Sequence, residues 1–259
     1  MSNSELLHSR HNETPVMAGE AENEIALLKT QLENLVRETN QFTYIITHDL
    51  QAPLRMVTGF LELLEKRYAD KLDEGAKKYI EYSVKGTNKM KRLIFDLLEY
   101  SRLNSMKHDF EFVCLNEVVE EVLNKLSDII TSTGVDIRIG RLPVVWAERK
   151  LMIQIFTHLI DNAIKFRRTE TPVISINAIK KSEKWEICIS DNGIGIEPAF
   201  YEKIFIIFKK MHPEEAGYDG TGTGLAICKR IAELHNGNLN VESQPGTGSN
   251  FYLTIPDKI

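Results

Sequence analysis

The chain has 259 residues, enough for one large domain or two modest ones with a core each. Its 42% hydrophobic and 27% charged residues belong to the globular range, and a net charge of −5 argues against a polyanion surface, so no nucleic-acid partner is expected. Cys114, Cys188 and Cys228 lie far apart, which argues against a disulfide framework or a zinc site; no apolar run reaches spanning length and the N-terminus lacks a signal-peptide core, so a cytoplasmic protein with no membrane span is expected.

Residues 1–20 are polar and aperiodic and read as disordered. From Ile25 the pattern changes. Ile25, Leu28, Leu32, Leu35, Thr39, Phe42 and Ile46 alternate three and four apart, the seam of a coiled coil or bundle helix. His48 falls off that seam and is expected to face solvent. Pro53 lies inside the pattern, where it removes one helix hydrogen bond and bends the helix. After a break at Arg67–Leu72, Asp73 is the expected N-cap of a second helix carrying Ala76, Ile80, Ser83, Thr87, Met90, Ile94, Leu97 and Ser101. Two such helices expose too much apolar stripe to stand alone, and a homodimer closing a four-helix bundle would bury it.

Periodicity stops near Asn104–Lys107, the expected boundary between a helical unit over 21–104 and an α+β unit over 105–259. In the second unit, strands are expected at Phe110–Leu115, Val135–Ile139, Val144–Trp146, Val173–Ile179 and Trp185–Ser190. Helices are expected at Asn116–Thr133, Glu148–Phe166, Pro198–Phe208 and Thr223–His235. His212–Gly220 reads as a mobile loop, and Asn238–Ser243 with Ser249–Ile255 as a closing hairpin.

Three stretches carry candidate chemistry. His158, Asn162 and Lys165 share one face of the helix Glu148–Phe166, opposite Ile153, Phe156, Ile160 and Ile164. An Asn oxygen suits Mg²⁺, which is commonly shared with substrate phosphates, and a lysine suits the phosphate itself; a plain polar helix face is the alternative. Asp191-Asn192-Gly193-Ile194-Gly195-Ile196 follows a strand: its glycines let the backbone come close to a ligand, and Asp191 could accept from an exocyclic amine such as that of adenine. An ordinary glycine turn is the alternative. Gly220-Thr221-Gly222-Thr223-Gly224-Leu225-Ala226 opens a helix, where free N–H groups and the helix dipole favour phosphate. No strand precedes these glycines and no Gly-Lys-Ser/Thr follows, so Rossmann and P-loop readings fail; the protein-kinase motifs are also missing.

In this order, the stretches resemble the two-component sensor histidine kinases. THDLQAPL resembles their phosphoacceptor box, HLIDNAIKF the N box, DNGIGI and GTGTGLAICKRI the two glycine boxes, EKIFIIFKKMH the phenylalanine box, and PGTGSNFYLTIP the closing hairpin. The resemblance implies a helical hairpin followed by an α/β sandwich ATP-binding domain of the Bergerat type, shared with gyrase, the Hsp90 chaperones and the mismatch-repair ATPases. It implies that His48 accepts the γ-phosphoryl group of ATP with Asp49 orienting its ring. By the same resemblance, Asn162 holds Mg²⁺, with His158 beside the metal, and Lys165 contacts phosphate. Asp191 reads adenine, with Gly193 and Gly195 shaping the pocket. Gly220, Thr221, Gly222, Thr223, Gly224 and Leu225 line the phosphate side, and Phe205 and Phe208 seat the lid. A response-regulator receiver domain would take the phosphoryl group, and an upstream sensor protein could supply the signal. The chain is expected either to be driven through its N-terminal coiled coil or to be the output end of something longer.

Two positions depart from the family pattern. His158 stands where these kinases carry Asn, which could weaken the metal geometry or make activity pH-sensitive. Ala52 stands where bifunctional kinases carry Thr or Asn, so phosphatase activity is expected to be weak. A plain ATPase of the same fold and a phosphorelay scaffold without catalysis are the competing readings.

Overall fold

The computed structural model describes residues 5–103, 108–211 and 220–257, with the side chains of 5–22 and Glu33 left out. The expected boundary at Asn104–Lys107 and most of the expected mobile loop at His212–Gly220 lie outside the described residues.

Helix α1 runs Glu5–Tyr68 and helix α2 runs Glu74–Arg102, packed as an antiparallel hairpin. Residues 5–20, which read as disordered from composition, are helical here, as continuation of an established helix adds a hydrogen bond for each residue fixed. Pro53 sits within α1 without ending it. Its ring removes a donor, so the backbone carbonyl of Asp49, four residues earlier, has no Pro53 N–H to accept from. Asp73 caps α2 as expected, its Oδ1 accepting from Ala76 N at 2.7 Å. Such a cap contributes about 1 kcal/mol.

The apolar seam of α1 does not face α2. Of its apolar residues level with α2, Phe42 and Phe60 are more than half exposed, and Ile46, Val57 and Leu64 are exposed as well. The residues turned inward are Asn40, Thr43, Thr47, Gln51, Leu54, Thr58, Gly59 and Leu61. Thr47 is buried because its hydroxyl finds carbonyls on its own helix, Thr43 O at 2.8 Å and Tyr44 O at 3.0 Å. Thr87 on α2 does the same with Ser83 O and Val84 O. The hairpin thus joins through the threonine row together with Leu54 and Leu61 of α1 and Ile80, Val84, Ile94, Leu97 and Leu98 of α2, and leaves most of the apolar stripe of α1 outside.

The register is fixed by Ser101 Oγ donating to Asn40 Oδ1 at 2.9 Å. In an antiparallel pair, equal steps from this contact stay level. Eight residues on along α1 and eight back along α2 bring His48 level with Leu93.

The second unit is a two-layer sandwich. Strand β1 (Glu111–Cys114) pairs antiparallel with β3 (Val144–Ala147) in a small ribbon. Helix α3 (Leu115–Lys125) and helix α4 (Ser127–Thr133) replace the single helix expected there; a break at Leu126 divides it. Strand β2 (Asp136–Ile139) is one edge of a mixed sheet in the order β2-β4-β5-β7-β6. Here β4 is Val173–Lys181, β5 Lys184–Asp191, β6 Asn238–Gln244 and β7 Gly248–Pro256. Only the β2–β4 pair is parallel.

Helix α5 (Arg149–Lys165) and helix α6 (Gly224–Leu234) cover the sheet. Phe156, Ile160 and Ile164 of α5 meet Ile174, Ile176, Ile187 and Ile189 of the sheet in one fully buried core. The expected helix at Pro198–Phe208 is instead two short 3₁₀ turns, Pro198–Phe200 and Lys203–Phe205. Among the described residues, no helix is long and apolar enough to cross a membrane.

Candidate functional site

Burying one face of α5 against the sheet turns the other face outward, and that face carries His158, Asn162 and Lys165, all partly buried. The start of α6 lies against it. Gly224 stands where an added Cβ would meet His158 Nδ1 at 3.2 Å, and Gly220 packs against Lys165 Nζ. The helix N-terminus and the α5 face therefore form two walls of one site. Gly222 packs on the backbone of Phe208 and Lys209, which brings the phenylalanine segment to the same loop. Phe208 takes a positive φ of 63°, and Phe205 lies under Lys229 Nζ, 4.9 Å from the ring centre. Thr223 is buried and its carbonyl accepts from Ile227 N at 2.9 Å, starting α6; Leu225 packs against the core.

Asp191 ends β5 on a third wall. Its Oδ1 accepts from Gly193 N at 2.8 Å and from Ser249 N at 3.3 Å, which leaves Oδ2 as the remaining acceptor. Burial holds its carboxyl above the usual range, while those two N–H groups pull it down. Gly193 approaches the Phe166 carbonyl so closely that a Cβ would lie 2.6 Å from it, and Ile194 N donates to that carbonyl at 3.0 Å. Phe166 thus ties the end of α5 to the glycine turn. Gly195, at φ 73°, packs against the Gln244 carbonyl. Arg168 fastens the same turn, donating to Asn192 O at 3.0 Å and to Gly246 O at 2.7 Å.

His48 lies apart from these three walls, on the hairpin. Its side chain is 71% exposed, and Nδ1 is 3.2 Å from Asp49 Oδ1. The Tyr44 ring stacks nearby at 6.4 Å between centres. With Nδ1 donating to the carboxylate, Nε2 points into solvent with its lone pair free. Ala52, one turn further on, is exposed.

Sequence reasoning missed three participants. Ser249 reaches Asp191 only because β7 pairs with β5. Arg168 sits outside every stretch singled out. Asp96, on α2, accepts from Thr223 Oγ1 at 2.6 Å and also from Thr221 Oγ1. Only the acidic residue type could have flagged it, and acids on exposed helix faces are commonplace.

Burial pushes His158 below the ordinary histidine range, against the carboxylates of Asp96 and Asp161, and its Nε2 is buried with no hydrogen-bond partner. Burial does the same to His235, whose Nδ1 donates to Ile231 O at 2.7 Å and whose Nε2 accepts from Glu148 N at 3.1 Å. Both rings are therefore neutral when folded and bind a proton more readily when unfolded. Their stabilising contribution is complete above about pH 6.5 and is lost as pH falls from there through the lowered values. The urea midpoint is expected to drop between about pH 7.5 and pH 5.5, and to drop less in His235→Gln. An unchanged slope in that variant would show that His235 is not part of the linkage.

Comparison with known proteins gives the following. Residues 147–259 match the family described as histidine kinase-, DNA gyrase B-, and HSP90-like ATPase, and residues 38–105 match the His Kinase A phospho-acceptor domain. The phytochrome-like protein Cph1 of Synechocystis is 42% identical over 233 residues, which is 90% of this chain and 31% of Cph1. The chain thus spans about a third of that relative's length. The catalytic domain of histidine kinase ThkA, solved free of nucleotide, is 27% identical with a TM-score of 0.51, covering 58% of this chain and 99% of that one. The structure of ThkA in complex with response regulator protein TrrA aligns with a TM-score of 0.62 at 24% identity, covering 89% and 66% of the two chains, and speaks to fold alone.

Proposed function

We propose, from the premise that this chain belongs to the two-component sensor histidine kinases, that it binds ATP, moves the γ-phosphoryl group to His48, and passes that group to an aspartate of a response regulator. The observation that carries this reading is convergence. The α5 face, the Gly220–Gly224 loop and Asp191 meet around one site, on a chain whose hairpin presents an exposed histidine with its Nδ1 against a carboxylate.

Asp191 Oδ2 accepts from the adenine amine, while Oδ1 stays committed to the backbone. Lys165 and the N-terminus of α6 hold the phosphates. Asn162 fits a Mg²⁺ ion: it offers a neutral oxygen from a half-buried helix face beside the phosphate walls. No cluster of three His, Cys, Asp or Glu among the described residues provides a cage, which suits an ion that keeps waters and takes substrate oxygens. When bound, the ion neutralises charge on the phosphates. His158 is a neutral ring beside that position, in place of the family's Asn.

In the transfer step, the His48 Nε2 lone pair bonds to the γ-phosphorus while the bond to the β–γ bridging oxygen breaks, releasing ADP. Asp49 holds the Nδ1–H tautomer and stabilises the charge that develops on the ring. Positioning and charge neutralisation supply most of the rate. The exposed Phe42, Ile46, Val57, Phe60 and Leu64 beside α2 are the dimer face, closing a four-helix bundle with a second copy, and Leu28, Leu32 and Leu35 continue it as a two-stranded coiled coil. The two functional units divide near residues 104–105.

The test is incubation of the protein with γ-labelled ATP and Mg²⁺. Label that is lost in acid and kept in alkali identifies a phosphorylated nitrogen and is the expected result. Nucleotide binding with no label would favour the scaffold reading. Phosphate release without protein label would favour the plain ATPase. Ala52 offers only a methyl group one turn from His48, with nothing to orient a water. The protein is therefore expected to leave a phosphorylated partner regulator with nearly its intrinsic lifetime, measured by the decay of labelled regulator with and without the kinase.

A further inference from the structure

We propose that Asp96 is an intramolecular stand-in for a phosphate: it clamps the catalytic unit against the hairpin, and ATP must displace it to bind. The proposal rests on the reading of the Gly220–Gly224 loop as the phosphate site.

Asp96, Tyr100 and the C-cap residue Leu103 are spaced four and three apart, so one face at the end of α2 carries them all. Each is engaged with the catalytic unit. Leu103 is buried in its core and Tyr100 packs against that core. The Asp96 carboxylate takes the hydroxyls of both Thr221 and Thr223 on a single oxygen, Oδ2. Those two threonines stand immediately before α6, where a helix N-terminus favours an anion. A carboxylate accepting two hydroxyl hydrogens there is chemically what a terminal phosphate oxygen would be.

Asp96 and the nucleotide phosphates cannot share those hydroxyls. Nor can they sit side by side cheaply, since Glu99 adds a second carboxylate one turn away. Burial, and after it the Asp96 charge, raise Glu99 above the usual carboxylate range. Displacing the clamp also has a direction. His48 is level with Leu93, so Asp96 is three residues along the axis from the acceptor level, about 4.5 Å. Along the hairpin axis, the clamp holds the phosphate loop within about one helical turn of the acceptor's level, with an acid in place of the substrate.

The full-length protein, Asp96→Asn and Asp96→Ala are titrated calorimetrically with a non-hydrolysable ATP analogue and Mg²⁺, and their radii of gyration are measured with and without it. Far-UV circular dichroism establishes that each is folded. Both variants are expected to bind the analogue roughly ten- to a hundredfold more tightly, about the worth of one hydrogen bond to a charged group. They should be expanded without nucleotide, to the dimensions the native protein reaches only with it. Equal affinity in native and variant proteins would overturn the clamp and leave the kinase reading intact. Weaker binding by the variants would also overturn it, making Asp96 part of the nucleotide-bound arrangement. No binding by any folded protein would remove the phosphate-site reading and the clamp together.

Discussion

Replacing His48 with Gln is expected to abolish phosphoryl labelling altogether, a fall of at least about a thousandfold, with nucleotide affinity unchanged. The reason is that this side chain supplies a nucleophile and almost nothing else. It is 71% exposed, its one polar contact is with its neighbour Asp49, and it lies off the buried face of α1. Gln is a good helix former and keeps a polar group in solvent, so stability should stay within about 0.5 kcal/mol. The check is a paired measurement on one preparation: label incorporation from γ-labelled ATP, and calorimetric binding of a non-hydrolysable analogue. Loss of label with binding intact assigns the acceptor. Label that survives places the acceptor elsewhere and removes the role given to the hairpin.

Asp191→Asn is expected to weaken ATP binding by about a hundredfold, the upper part of the range for hydrogen bonds to charged groups. The geometry explains why a conservative change should cost so much. Gly193 N–H and Ser249 N–H both need an acceptor, and they hold the side chain's oxygen. In the variant, the atom left facing the base is then an amide nitrogen, a donor set against the adenine amine. Guanine carries an acceptor at the same ring position, so the variant should lose less affinity for GTP than for ATP, or gain. Titration of both nucleotides against native and variant proteins decides it. ATP affinity unchanged by the substitution would mean that Asp191 does not read the base, whatever its backbone contacts do.

The two substitutions test different units of the fold, and the physical reasons for their legibility differ. His48 could be placed from sequence because a helix has a fixed period: two residues beyond Ile46 on the seam is off the seam. His48 is exposed as expected, but the seam is exposed too, Phe42 at 65%, so the period placed the histidine on the helix without by itself deciding what covers its neighbours. The Asp73 cap and the shared face of His158, Asn162 and Lys165 were legible for the same reason, since caps and faces depend on residues three or four apart. The segment Pro198–Phe208 was misread as a helix. Its apolar residues are spaced for one, yet Phe205 and Ile204 pack on the catalytic core from short 3₁₀ turns instead. Tertiary contact overrode a weak local preference there.

What the sequence determined by itself was the set of local devices: the acceptor on an exposed helix face, the polar face of α5, the glycine turn after β5 and the glycine loop opening α6. Each is written within a span of a few residues, where backbone geometry and side-chain period act directly. The tertiary structure alone decided which of them meet. It set the threonine row of α1, with Leu54 and Leu61, against α2 and left most of the apolar seam outside, since a hydroxyl such as that of Thr47 can bond its own helix and be buried without penalty. It brought Ser249 to Asp191 by pairing β7 with β5, and it carried Asp96 across more than a hundred residues of sequence to the threonines of the phosphate loop. Contacts of that range depend on chain closure and on which surfaces remain to be buried, and no local period encodes either.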